Sequence, residues 1–401
     1  MKKTFFSVLL LVAVVLFAAC SDDDDKVASK YTLTVTIDYP AEIDPSEVAD
    51  LAVKANNLQT SSEYTATITD GKISMLLPAG EYDVQATAKT GEYALSGLKS
   101  RVEVYANASA TVQLNIAAGS GLVFKEIYYS GVKNGKTPYF DQFYEIYNNS
   151  GEVIYLDQLI LGIVEGGQGG IASPWVDESG ELMKKIPLYG YTVAFPGTGK
   201  DYPLEPGKGV VIAEDAFNHH SDPAGFSGSP VDLGNADWEI YTGEFNKGED
   251  VDNPNVPNLE ILGYTTGSTT LDFQLAYTGN ALIIVRLPEG ITPTGFYSND
   301  ANFMNKPGSA GSTKYLMIPQ EYVLDGVDLV NSVEAKRVKH LRPEVDAGRI
   351  FNSADYSGTS VRRKVKSITN GRVVYQDTNN STDDFLNGQT PAPGVQPSHV
   401  D

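Results

Sequence analysis

The chain has 401 residues, and its 30 lysines and arginines against 51 aspartates and glutamates give it a formal net charge of −21. A surface of this charge repels nucleic acid and phospholipid headgroups, so we expect no nucleic-acid partner. The length suits two or three domains, and a single cysteine excludes intramolecular disulfides.

The first nineteen residues have the pattern of a secretory signal peptide. Two lysines precede an apolar run from Phe5 to Ala19, which is too short to span a bilayer. Two alanines then precede Cys20, and this segment resembles a bacterial lipobox, although Phe17 departs from the residue types usual at its position. The resemblance implies cleavage before Cys20 and a lipid on its sulfur, which anchors the chain in the outer membrane. An ordinary buried thiol is the alternative.

An acidic tether follows the cysteine. Ser21 and the aspartates Asp22, Asp23, Asp24 and Asp25 form a block of like charge that must stay solvated. The block resembles the export signal of surface lipoproteins in certain Gram-negative anaerobes, which implies display on the cell surface; a plain spacer is the alternative. We therefore assign residues 1–19 to the signal peptide and residues 20–29 to the lipidated cysteine and tether. Loss of the signal peptide removes two lysines and no acid, which changes the net charge from −21 to −23.

Residues 30–118 are predicted to form a small β-sandwich. In Tyr31–Ile37 apolar residues alternate with threonines, which is the period of a half-buried strand. Asp70 and Gly71 predict a tight hairpin, and Pro78–Gly80 predicts a turn into another strand. The segment Leu77–Val84 resembles carboxypeptidase-regulatory or prealbumin-like modules, and that resemblance implies a spacer or docking unit without catalytic residues.

A flexible boundary at Ala117–Gly121 separates a second region, residues 119–401. Its apolar runs and turns resemble, in order, those of a lamin tail domain, which is an immunoglobulin-like sandwich. The region is longer than a lamin tail, so we expect insertions at 164–192, 217–262 and 296–350. The matching segments are Val123–Tyr129, Phe143–Ser150, Val153–Asp157 with Leu161 and Gly162, Leu204–Ala213, Leu275–Leu287, Asp325–Val327, Ser360–Arg363, Asn380–Phe385 and Thr390–Gly394.

The predicted fold class is therefore all-β, with two antiparallel β-sandwich domains: a small prealbumin-like module, then a lamin-tail or immunoglobulin-like sandwich with long insertions. Together with the signal peptide and the tether, this arrangement resembles a family of surface lipoproteins whose large domain has no assigned function.

The sequence favours neither a metal site nor a cofactor. His219 and His220 are adjacent, and adjacent strand residues point to opposite faces, so they do not readily share a metal. Asp250, Asp252, Asn253 and Asn255 offer oxygen ligands for calcium, but Pro254 and the missing glycine and glutamate break the EF-hand template. We expect a solvated turn there, and calcium only as a weak site of the extracellular kind.

No catalytic motif is present either. There is no G-x-S-x-G elbow, the single cysteine is assigned to the lipid, and sequence spacing cannot reveal a glycosidase-type pair of carboxylates. We therefore predict that the protein is not an enzyme.

A basic segment is the exception to the acidic background. Nine cations lie within residues 336–366, and alternation along Ser360–Lys364 places Arg363 with Val361 on one face and Arg362 with Lys364 on the other. Pairing with neighbouring acids is the alternative to a ligand-binding role. The candidate binding patch consists of Lys336, Arg337, Lys339, Arg342, Arg362 and Lys364.

We expect a monomeric cell-surface lipoprotein that acts as a binding or adhesion module, with its contacts made by loops on a rigid β scaffold. The partner would be an extracellular glycan or protein. An accessory role beside an outer-membrane, TonB-dependent nutrient importer is the alternative, and an extracellular hydrolase is a third hypothesis with no motif behind it.

Overall fold

The structure is a computed structural model of the chain. It describes residues 29–40, 43–60, 62–69, 71–90, 93–117, 121–132, 141–221, 228–243, 245, 250–265 and 272–401. None of the helices in this part of the chain has the length and apolar character that a bilayer span requires.

The first module is a sandwich of two sheets. Their strand orders are β4-β5-β1-β8 and β3-β2-β6-β7-β9. Alternation places Leu33 and Val35 of β1 in a core shared with Tyr82 and Val84 of β6. The strands are β1 Lys30–Asp38, β2 Ala49–Asn57, β3 Glu63–Thr65, β4 Thr67–Thr69, β5 Lys72–Pro78, β6 Gly80–Thr90, β7 Tyr93–Val104, β8 Ala108–Gln113 and β9 Asn115–Ala117, with a 3-10 turn at Pro45–Glu47.

Two local features of this module follow directly from the sequence. Thr69 of β4 lies opposite Lys72 of β5, so a two-residue turn joins them, and Gly71 adopts a φ of +72° that favours glycine. β1 pairs antiparallel with β5 but parallel with β8, from Leu33 opposite Ala108 to Asp38 opposite Gln113. The first and the last long strands of the module thus run side by side in the same direction. The module is therefore not purely antiparallel, whereas an antiparallel sandwich was predicted.

The second module is a larger sandwich. Its two main sheets have the orders β17-β16-β11-β10-β23-β26 and β20-β21-β14-β13-β19-β22, with β18 paired to β14. Their facing sides share one core. The strands are β10 Leu122–Tyr128, β11 Phe143–Asn148, β12 Ile154–Tyr155, β13 Ile160–Val164, β14 Lys185–Ala194, β15 Pro203–Leu204, β16 Gly209–Ala213, β17 Trp238–Glu239, β18 Glu260–Tyr264, β19 Ala281–Val285, β20 Phe303–Asn305, β21 Lys314–Pro319, β22 Val323–Asp328, β23 Ser360–Arg363, β24 Val365–Thr369, β25 Arg372–Tyr375 and β26 Phe385–Gln389.

Helical structure in the described residues of this module is limited to short segments. They are α1 Pro293–Tyr297, α2 Ser381–Asp384 and 3-10 turns at Asp300–Asn302, Gln320–Tyr322 and Glu334–Lys336. The sandwich architecture agrees with the predicted all-β fold class.

All three predicted insertions contain strands of the main sheets, and the one at 217–262 contributes β17, which pairs with β16. β14 lies largely within 164–192 and pairs with β13, β18 and β21, while β22 lies within 296–350 and pairs with β19. These stretches are therefore structural core rather than added loops, because their apolar residues, such as Leu188, complete the seven-stranded sheet.

The C-terminal segment covers the outer face of the six-stranded sheet. Lys125 on β10 is fully buried, and its Nζ donates to Glu145 Oε1 on β11 at 2.7 Å and to the Val395 carbonyl at 2.6 Å. All residues of β10 and β11 are consequently buried, on both faces of the sheet.

Candidate functional site

The predicted lipidation site and export signal, Cys20 and Ser21 to Asp25, lie outside the described residues. The candidate site that the structure describes is therefore the basic segment and its surroundings.

Arg363 of the basic segment is a structural residue. It is buried together with Val361, while Arg362 and Lys364 are half-buried on the other face of the chain, in keeping with strand alternation. The Arg363 guanidinium donates to Asp325 Oδ2 at 2.7 Å and to the Phe124 carbonyl at 2.8 Å. Two further acids, Asp377 and Asp384, pair with the same guanidinium, which stacks over the Phe385 ring at 4.7 Å.

Three members of the predicted patch are engaged by acids or carbonyls of the second module. Arg362 makes a two-pronged contact with Asp401 at 2.9 Å, and Lys364 Nζ donates to the Asp383 carbonyl at 2.7 Å. Arg342 pairs with Glu181 at 3.1 Å and with Glu344 at 3.3 Å. The six predicted cations therefore do not form one free positive patch, because Arg342, Arg362 and Lys364 are bonded to acids or carbonyls of the same module.

The other three cations of the patch lie together on the segment before Arg342. Lys336 is exposed. Arg337 donates to the carbonyls of Asn331 and Ser332, both at 3.1 Å, and its guanidinium lies 3.8 Å from the Phe351 ring centroid. Lys339 Nζ lies 3.2 Å from Asp328 Oδ2 and also donates to backbone carbonyls of the following loop.

This segment forms one wall of an inter-module groove, which consists of two adjoining cavities between the modules. Their volumes are about 230 and 700 Å³, and both are lined by Leu98 of the first module and Lys339 of the second. The larger volume lies within the range of roughly 300–1,000 Å³ that is typical of small-molecule sites. An ion pair between Lys54 and Asp383, 3.4 Å long, also joins the two modules.

The groove is locally basic. Six cations line it against four acids, although the chain as a whole carries −21. Arg349 and Phe351 contribute a cation and an aromatic ring to the smaller cavity. The cations are Lys99, Arg101, Arg337, Lys339, Arg342 and Arg349, and the acids are Asp38, Asp83, Glu181 and Glu344.

A second cluster consists of acids, and the sequence did not predict it. One carboxylate oxygen each from Asp215, Asp250 and Asp272 lies within 4.8 Å of the other two. Asp250 is only 8% exposed, and its Oδ2 accepts hydrogen bonds from the Thr242 amide at 2.5 Å and hydroxyl at 3.1 Å. The predicted solvated turn is therefore wrong for Asp250, because the chain folds this carboxylate inward toward acids that are distant in sequence.

Burial changes the protonation of this cluster. Loss of water, reinforced by the nearby charges of Asp272 and Asp215, raises the pKa of Glu214 well above its usual range. Burial also raises the pKa of Asp215 and of Asp272 well above the usual range, with further contributions from neighbouring carboxylates. Carboxylates in such positions are held neutral unless a cation joins them.

Two of the histidines are buried and make hydrogen bonds within the second module. His219 is buried, with Nε2 at 2.9 Å from the Asp215 carbonyl, whereas its neighbour His220 is exposed. His340 is also buried, between Asp328 Oδ1 at 2.8 Å and the Gly167 carbonyl at 3.0 Å. Burial by itself would raise the pKa of Asp328. The neighbouring Lys339 and His340 outweigh this effect and hold the pKa of Asp328 below its usual range.

Comparison with known proteins gives a family match for the second module and a structural match for nearly the whole chain. The model of the DUF4876 family, described as a protein of unknown function, matches residues 205–392. A crystal structure of a DUF4876 family protein from Bacteroides thetaiotaomicron is 28% identical, covers 92% of this chain and 99% of its own, and superposes with a TM-score of 0.56.

A DUF3823 family protein from Parabacteroides merdae is 13% identical over 44% of this chain and 79% of its own. Its TM-score of 0.16 does not show a shared fold. No curated protein matches. The matched family region contains both the basic segment and the acidic cluster, and the family description assigns no activity to either.

Proposed function

We propose that this protein is a lipid-anchored binding protein of the outer-membrane surface, which holds an anionic extracellular ligand in the inter-module groove without catalysis. The observation that carries the proposal is the excess of cations over acids in this groove on a strongly acidic chain. The lipobox-like segment and the acidic tether support the anchored location, and the ordered lamin-tail-like segments support a recognition module.

The groove chemistry favours a carboxylated polysaccharide. Arginine presents a planar fork that matches a carboxylate, and Arg349 and Arg101 line the groove. Neutral polar residues such as Asn56 and Gln113 also line the groove and can hydrogen-bond hydroxyls. Phe351 adds an aromatic surface of the kind on which a sugar ring packs.

Binding of the purified chain to polygalacturonate, with neutral dextran for comparison, tests the proposal. The variant Arg101→Gln with Arg349→Gln should bind about tenfold more weakly, since two charge contacts of about 0.5–1 kcal/mol each correspond to roughly one decade in affinity. The matched control, Lys72→Gln with Lys366→Gln, removes the same charge from exposed positions outside the groove and should bind like the wild type.

Wild-type binding should also weaken as salt is added. Equal binding of dextran and polygalacturonate, or equal affinities for the two double variants, would contradict the proposal.

An accessory role in nutrient import is the second candidate, because an acidic loop of a transporter would fit the same basic groove. Affinity purification from mildly solubilised outer membranes distinguishes the two. Recovery of a stoichiometric outer-membrane transporter with the wild type, and its loss with Arg101→Gln and Arg349→Gln, would favour the importer.

A further inference from the structure

The acidic cluster joins three separate segments of the second module. Asp215 lies just after β16, Asp250 lies in the loop after β17, and Asp272 precedes β19. Each offers one carboxylate oxygen within 4.8 Å of the others. Like charges at this spacing repel strongly when they are shielded from water, so three ionised groups need a compensating positive charge.

Glu214 provides a second, independent observation. Its side chain is fully buried, and neither of its carboxylate oxygens accepts a hydrogen bond of normal geometry, although the Gln274 side chain lies near enough to lower its pKa. The charges that act most strongly on it are those of Asp272 and Asp215, so its carboxylate lies close to the cluster. Asp250 Oδ1 is likewise buried without a donor. Unsatisfied buried carboxylate oxygens are rare in proteins and require an explanation such as an ion.

Among the described residues, the groups that act on the cluster do not supply a compensating positive charge. The strongest influences on Asp215 and Asp272, after burial, are other carboxylates, with the Phe273 amide and the Thr242 hydroxyl as neutral donors to Asp272. A bound cation would allow these residues to ionise in their buried positions.

We propose that Asp215, Asp250 and Asp272 bind a calcium ion, with the buried Glu214 adding negative charge beside them. The ligand set consists entirely of oxygen, which calcium prefers. Calcium also accepts an irregular set of oxygen ligands, whereas Mg²⁺ demands a near-ideal octahedron, so carboxylates from three separate segments suit calcium better.

The ion would fasten the loop that carries Asp250 to the sandwich at β16 and at the segment before β19. An affinity of about 10⁻⁴–10⁻³ M, typical of extracellular calcium modules, suffices for this role. The inference does not depend on the proposed ligand of the inter-module groove, because the cluster shares no residue with that groove.

Terbium luminescence and thermal unfolding test the site in the purified chain. Tyr191 lies near Thr242, Asp272 and Asp250, so its excitation should sensitise emission from Tb³⁺ bound there. We expect calcium to displace the Tb³⁺ and millimolar calcium to raise the melting temperature relative to EDTA.

The variant Asp250→Asn with Asp272→Asn should lose the terbium signal and the calcium-dependent shift. In EDTA it should melt no lower than the wild type, because each asparagine keeps an acceptor oxygen and adds no charge beside the neighbouring acids. Asp252→Asn removes one negative charge from the loop that carries Asp250 but outside the cluster, and it should keep both signals. If the double variant does not fold, the half-buried Asp215→Asn alone should show the same two losses.

Three outcomes would overturn the proposal. The first is a wild type with neither sensitised terbium emission nor a calcium-dependent shift. The second is retention of both signals by the folded cluster variants. The third is equal stabilisation by magnesium and calcium, which would contradict the assignment of calcium.

Discussion

Replacement of Arg363 by methionine tests the role of the most deeply buried cation in the basic segment. The change removes the guanidinium from Asp325 at 2.7 Å and from Asp384 at 3.5 Å, and both of these acids stay buried. Breaking a buried ion pair by removing one partner lowers the free energy of unfolding by about 3–5 kcal/mol. At about 2–4 °C per kcal/mol, the melting temperature should fall by roughly 6–20 °C.

The loss should depend on pH. Burial raises the pKa of Asp325 and of Asp384 in the folded protein, and Arg363 opposes this rise, so both pKa values climb further in Arg363→Met. An acid whose folded pKa exceeds its unfolded value of about 3.9 binds more protons when folded, so stability falls as pH rises from about 4 to the folded pKa. The variant should therefore be destabilised most near pH 8 and regain stability near pH 5.

Urea unfolding followed by tryptophan fluorescence measures this effect, since Trp175 and Trp238 are both buried in the second module. Arg362→Met is the matched control, because its guanidinium pairs with one acid, Asp401, whereas that of Arg363 pairs with three, so the expected loss is smaller. Equal losses for the two variants, or a loss in Arg363→Met that is the same at both pH values, would refute the reasoning.

Three further predictions concern the anchor and the modules. Cys20→Ala should abolish incorporation of labelled palmitate, and continued labelling would exclude lipidation of this residue. Replacement of Asp22–Asp25 by alanine should protect the protein from protease added to whole cells; unchanged cleavage would leave the tether as a plain spacer. Limited proteolysis should yield a stable fragment that begins near Leu122, because a boundary composed of small residues is expected to be a linker, and absence of the fragment would argue against independently folded modules.

Local patterns predicted much of the fold. The alternation in Tyr31–Ile37 corresponds to β1, and the turn at Pro78–Gly80 separates β5 from β6. The same alternation placed Arg363 and Val361 on the buried face of β23. Each of these features depends on residues that are adjacent in sequence, so their periodicity is sufficient to predict them.

Long-range pairing could not be predicted in this way. The sequence does not indicate that Asp215, Asp250 and Asp272 meet, because their segments come together only when the sandwich closes. Composition also misled the prediction, since aspartate is usually exposed and Asp250 lies in a polar stretch with a proline. The same limit applies to the basic segment, where the partners of Arg342 and Arg362 are Glu181 and Asp401.

The parallel pairing of β1 with β8 has a mechanical consequence. The chain enters the module at the N-terminal end of β1 and leaves it toward the second module after β8 and β9. Tension between the two ends of the module therefore pulls β1 and β8 in opposite directions along their length. The ladder from Leu33 opposite Ala108 to Asp38 opposite Gln113 is then loaded in shear, with its hydrogen bonds sharing the force instead of opening one after another. A module built in this way resists stretching through a high barrier to unfolding.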